Sequence, residues 1–269
     1  MGAALVAGYL LAGTAVAGNS ITACDKALEA TLAHQDQVIS TLEENPLRAI
    51  NLNGSSPDLG GAGLALSSFA PRVKSAQALV NGDLVALRAA QESAQSAAQS
   101  PLTLPQRAAL DQKVKRTRAA ILGLLSAERG LTAGDQAVSF LQALLVSLMD
   151  LDALATALNK DDVTGAAALI PRLQQELATT VTSGQQADLP PQLSQLTQAF
   201  SSLGVDTRSV IDALQAHDAA GYGRSLAQMQ SDLKAISAFD QAGANSWMDQ
   251  LSGQLRDEYN AQMMVAQGH

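Results

Sequence analysis

Between Gln136 and Leu158 the chain leaves a helix almost no polar side to show to water. Val138, Phe140, Leu141, Leu144, Leu145, Val146, Leu148, Met149, Leu151, Leu154 and Leu158 cover most of its circumference. A helix apolar nearly all round must be surrounded by neighbours or by lipid. Asp150 and Asp152 interrupt the run, which favours a protein core over a membrane span. The remaining chain then has to supply amphipathic helices that pack around it.

It supplies them repeatedly. In Ala27–Glu44, Leu28, Leu32, Gln35, Ile39 and Leu42 fall at steps of four and three residues, and Asn45-Pro46 stops the helix. Further helices are expected at about 64–80, 83–99, 105–126, 162–182, 191–203, 207–216, 219–238 and 245–266, with kinks or restarts at Pro71 and Pro171. Thr103 and Gln106 have the spacing of a capping box, and Gly184 and Gly204 sit where helices end. The last helix stacks Trp247, Leu251, Leu255, Tyr259 and Met263 every fourth residue, a packing stripe. Hydrophobic residues are 47% of the chain but aromatics only 3%, and Ala and Leu dominate. That bias suits close-packed helices, because strands want β-branched and aromatic side chains. The expected fold class is all-α, a bundle of antiparallel helical hairpins.

The first 24 residues, Met1 to Cys24, carry no charged side chain. Ala3–Ala17 has the character of a signal-peptide apolar region, and Ala15-Val16-Ala17 is a small-x-small cleavage site. Ile21-Thr22-Ala23-Cys24 resembles a bacterial lipobox, which implies lipidation at Cys24; Ile replaces the usual Leu, and no Lys or Arg precedes the apolar run. Gly2–Ala23 is also just long enough for an uncleaved span, with Gly13 and Ala17 as a small-xxx-small pair. A buried helix of a soluble bundle is the remaining alternative. The expected organisation is a signal or anchor at 1–23, a stalk helix and Gly-rich linker at 24–63, and a bundle at 64–269. In the linker, Asn53-Gly54 is a turn signal and Ser56-Pro57-Asp58 a helix start. Gly60, Gly61 and Gly63 follow without the signature of a phosphate-binding loop.

A repeat is visible at an offset of 56 residues. Ala157-Leu158-Asn159-Lys160-Asp161-Asp162 matches Ala213-Leu214-Gln215-Ala216-His217-Asp218, with Gly165 against Gly221 beyond. Ala78-Leu79-Val80-Asn81-Gly82-Asp83 is an earlier echo. Each copy reads as a helix end, a turn and an Asp that caps the next helix.

Chemistry is less visible. The net charge of −8 argues against nucleic-acid binding, which needs a basic face. Arg107, Lys113, Lys115, Arg116 and Arg118 form one basic cluster, a candidate docking patch for an acidic partner or anionic lipid on an otherwise solvated helix face. His34, His217 and His269 have no second ligand at metal spacing, and no Ser lies in a nucleophile-elbow setting. Asp150/Asp152 and Asp161/Asp162 read as helix surface and cap rather than as an acid–base pair. No catalytic residue, cofactor or metal is assigned. The sequence therefore points to an exported, membrane-attached binding or scaffold protein of the cell envelope, with a protein partner or a second copy. A receptor or enzyme with a dispersed site between helices is the alternative.

Overall fold

The computed structural model describes residues 2–51, 58–186 and 188–268, with side chains from Gly13 onward. Among these residues every regular element is helical. The α-helices are α1 (Gly2–Ala33), α2 (Gln35–Leu42), α3 (Leu59–Gln99), α4 (Arg107–Asn159), α5 (Val163–Gly184), α6 (Gln192–Gln215), α7 (Ala219–Ser237) and α8 (Gln241–Gln267). Two 3-10 turns, Pro46–Ala49 and Pro101–Gln106, precede α3 and α4. The all-α expectation holds.

The helices are longer than the local signals imply. Asn81-Gly82-Asp83 lies inside α3 and forms no turn, so this earlier echo of the repeat is absent. Val80, Leu84 and Leu87 are buried on one stripe across it, and that packing overrides the ~1 kcal/mol that a mid-helix glycine costs. The expected break before Gln136 is absent as well, because buried Leu131, Ala133 and Ala137 carry the stripe across 126–136. α3 and α5 both run past Pro71 and Pro171, and α6 runs past Gly204. A Cβ on Gly204 would meet Leu177 Cδ1 at 3.2 Å, so this glycine serves close packing, not a helix end. The expected Ala27–Glu44 helix does break, at His34, whose N–H donates to the Thr31 carbonyl.

The chain forms two compact units. Unit 1 comprises residues 1–44, 73–132 and 251–269; unit 2 comprises 45–72 and 133–250. In unit 1 one core unites Ala17, Cys24, Ala27 and Leu28 of α1 with Val80, Leu84 and Leu87 of α3, Leu110, Leu124 and Leu131 of α4, and Tyr259 and Met263 of α8. The first segment thus enters this core from Gly13 onward. A Cβ on Gly13 would sit 1.9 Å from the Leu102 carbonyl oxygen in the 3-10 turn. Ser20 Oγ lies 2.9 Å from Ser93 Oγ. The small-xxx-small pair Gly13/Ala17 therefore allows a close approach within the protein itself. Thr103 makes no capping box: its hydroxyl donates back to the Ala97 and Ser100 carbonyls, and Ser100 Oγ accepts from the Leu102 N–H.

In unit 2, α5 packs on α6 and α6 on α7. Phe140, Leu144, Leu173, Leu193, Leu196, Phe200 and Leu203 are fully or almost fully buried. Leu145 is half-buried, so the deepest face of α4 runs through Phe140, Leu144 and Ser147. Asp150 is buried, not on the surface, and pairs with Arg172 Nε at 2.9 Å. The repeat is real as local geometry. Asp161 and His217 both adopt positive φ, 57° and 54°. The next residues, Asp162 and Asp218, return their N–H to the carbonyls of Ala157 and Ala213 at 3.0 and 2.9 Å, a helix-ending motif closed by a left-handed residue. Each Asp then accepts from a glycine N–H, Gly165 at 2.8 Å and Gly221 at 2.9 Å. Asp58 with Gly61 and Asp240 with Gly243 make the same cap. At all four glycines a Cβ would lie 2.1 to 2.3 Å from the capping carboxylate, which accounts for Asp-x-x-Gly in each copy. At the first of them the start is Asp58 itself; Ser56, Pro57 and Asn53-Gly54 lie outside the described residues.

Candidate functional site

Unit 2 holds a groove of about 640 Å³. The apolar run of α4 forms its floor, with Leu148, Leu151, Leu154 and Leu158 along it. Leu203 of α6, Met229 and Leu233 of α7 and Leu59 of α3 make the walls. The same side chains that marked α4 as central thus remain partly uncovered here: Leu148, Leu151 and Leu158 are half-buried, and the adjacent Met149 is 55% exposed.

Asp152 is the one ionisable side chain in the lining among the described residues. It is exposed, and it forms no ion pair among the described residues. One turn beyond Leu203 is Asp206, and one turn beyond Met229 is Asp232. Asp206 is the charged neighbour of Asp232 across α6 and α7, and Asp232 is almost completely buried, its Oδ2 without a hydrogen-bond partner among the described residues. Burial, and then the neighbouring Asp206 carboxylate, push the Asp232 carboxyl up to about 6. The neighbouring negative charge and the burial both disfavour the ionised form of Asp232, which therefore keeps its proton to higher pH than an exposed aspartate.

Unit 1 contains a second polar constellation. His34 Nδ1, at the α1–α2 break, lies 3.0 Å from the Asp83 carboxylate, and Asp83 is buried. Tyr259 is fully buried beside them, its hydroxyl without a hydrogen-bond partner among the described residues. Burial, then the charges of Asp83 and Asp36, raise the Tyr259 hydroxyl well above its ordinary value. A histidine–carboxylate pair can activate a nucleophile within hydrogen-bond reach. None of the described side-chain hydrogen bonds of His34 or Asp83 reaches the side chain of a Ser, Thr or Cys. The arrangement anchors a helix break.

The residues singled out from sequence are dispersed. Cys24 sits inside α1, fully buried, with its Sγ donating to the Ala90 carbonyl at 3.4 Å. Burial raises its thiol. In the basic cluster, Lys113 pairs with Asp25, and Arg116 donates to the Ala266 and Gln267 carbonyls at the end of α8, at 2.6 and 3.1 Å. Arg107, Lys115 and Arg118 are exposed, with Asp111 four residues from two of them. His217 is a turn residue, and His269 lies outside the described residues. Among the described residues no three His, Cys, Asp or Glu side chains are arranged to hold a metal. One helical stretch among them, 101–159, contains an 18-residue window with mean hydropathy 1.6, long and apolar enough to cross a membrane, and 44% of that window is buried in the protein.

The groove and the Asp206–Asp232 pair were not anticipated. The groove's signal was present as the excess apolar circumference of 148–158. The acid pair joins residues 26 positions apart, and only the packing of α6 on α7 makes them neighbours. Comparison with protein-family models, with curated proteins and with solved structures finds no match to this chain.

Proposed function

We propose that this is a helical binding or scaffold protein that engages a protein partner by helix-face packing. The observation that carries the reading is the groove in unit 2. Its walls are leucine and methionine, its volume is large enough for several apolar side chains, and its one lining charge among the described residues is at the edge of the apolar floor. An apolar groove between helices is the surface that receives an amphipathic helix. A catalytic pocket would need convergent polar groups there instead.

The second half of the proposal is attachment at the cell envelope, supported by the uncharged run Met1–Cys24. From Gly13 onward that run packs in unit 1, so a span over Gly2–Ala23 and the contacts of Gly13, Ala17 and Ser20 exclude one another. With α1 docked, attachment falls to the residues before Gly13. Lipidation at Cys24 would require the thiol to leave its place beside Ala90.

Purification from the native cell, with fractionation, native mass spectrometry and intact mass, tests both halves. The expected result is a hetero-complex heavier than the 27.8 kDa chain, in the membrane fraction, with α1 retained. A free monomer refutes the binding reading. A soluble chain refutes attachment, and a mass beginning at Gly18 or at lipidated Cys24 shows that the first half of α1 is removed.

A further inference from the structure

We propose that the partner of the unit 2 groove is a basic amphipathic helix: an apolar stripe seated on α4, flanked by Lys or Arg that meet the carboxylates of Asp152 on α4, Asp206 on α6 and Asp58 at the start of α3. This deepens the binding reading above and rests on it.

Charge complementarity carries the inference. Asp152 is exposed in the lining and half-buried Asp206 follows Leu203 by one turn, whereas Asp232 on α7 is buried and takes no part in the rim. Asp58, which caps α3, is exposed next to Leu59. Of the cations on α6 and α7, Arg224 is turned about 140° from Met229. At about 100° per residue, Lys234 is turned about 100° from Leu233, and Arg208 about 140° from Leu203. Arg208 also faces Asp212 of its own helix at 3.6 Å. Among the described residues, the lining carries Asp152 and no cation, and the exposed cation at the end of α4 is Lys160, two residues past Leu158. Complementary charge of this kind selects partners and sets their orientation, while buried apolar side chains supply the affinity.

Other occupants fit less well. Fatty acids and acidic lipids bring a negative head towards these carboxylates. A second copy could offer the exposed Arg107, Lys115 and Arg118 face, but its exposed leucines, Leu104 and Leu122, stand 18 residues apart and make no continuous apolar stripe to fill the groove. A helix with Leu, Ile or Met at i, i+3, i+4 and i+7 and cations on the flanks satisfies both features at once.

The test uses the full chain and two labelled peptides of one design, an 18-residue helix with a leucine stripe, flanked either by Lys or by Glu. Fluorescence anisotropy should show the Lys peptide binding at least ten-fold more tightly. Ala155→Arg fills the groove from an exposed helical position and should abolish binding. Asp152→Lys should narrow or invert the preference, while Asp257→Lys, the same charge change in unit 1, should leave it unchanged. Both groove positions are exposed, and unchanged helicity and melting verify that the variants fold; Leu233→Glu, at 43% exposure, serves as a second blocking variant.

Equal binding of the two peptides overturns the proposal, as does no binding, or binding indifferent to Ala155→Arg and Leu233→Glu. Self-association in sedimentation that Ala155→Arg removes also overturns it, by assigning the groove to a second copy. If the native complex persists in Ala155→Arg and neither peptide binds, the groove assignment falls and the binding reading stands. If no native complex forms with the wild-type chain, the binding reading itself falls.

Discussion

Gly13→Ala is the substitution that most directly tests whether the first segment belongs to the bundle. The added Cβ would lie 1.9 Å from the Leu102 carbonyl oxygen and 2.7 Å from its carbon, against ordinary contact from 3.4 Å. Both atoms are backbone, so no rotamer change relieves the clash. α1 must move back by about 1.5 Å, loosening Ala17 from the core and Ser20 from Ser93. Overpacking of this kind costs about 1–3 kcal/mol or more, and the better helix propensity of alanine returns at most ~1. A net loss of about 2 kcal/mol is expected, or about 4–8 °C in Tm for a chain of this size. Gly18, five residues on in the same helix, is exposed, and a Cβ there would meet nothing within 4 Å. Gly18→Ala should therefore stabilise by about 0.5–1 kcal/mol. Urea denaturation measures both, and hydrogen exchange of peptides from 13–33 and 101–106 localises the effect. Opposite signs support docking of α1 on the 3-10 turn. A Gly13→Ala protein as stable as wild type, with unchanged exchange in those peptides, would falsify it.

Asp162→Ala and Asp218→Ala should each cost about 1 kcal/mol, the typical worth of an N-cap, with faster exchange confined to the first turn of α5 or α7. Asp232 gives a pH dependence with a definite sign. Its folded value of about 6 exceeds the ordinary 3.8. The folded state therefore holds the proton more tightly, and stability should fall as pH rises from about 4 to about 6. In Asp232→Asn this component of the urea-midpoint slope should vanish. Leu144→Ala should cost about 2–5 kcal/mol, because Leu144 is fully buried on the core face of α4. A milder effect than that of Met149→Ala, at a 55% exposed position, would show that face to be misassigned.

The sequence alone determined the helical class, because its apolar residues are mostly Ala and Leu and recur at steps of three and four. It also determined the turns at 160–162 and 216–218, where the signal is local: a left-handed residue, a capping Asp and a glycine that leaves that carboxylate room. Helix length was decided by tertiary structure. Asn81-Gly82-Asp83 has turn-forming residues, yet the core of unit 1 buries Val80 and Leu84 around it, and Asp83 turns inward to His34. The first segment shows the same division. Its freedom from charge is compatible with lipid, a cleaved signal or a protein core, since each wants small apolar side chains. The contact of Gly13 with Leu102 joins residues 89 positions apart, and no local pattern contains it. The groove required both levels. The sequence supplied more apolar surface on α4 than one face can bury, and the packing of α6 and α7 decided which part of it stayed open.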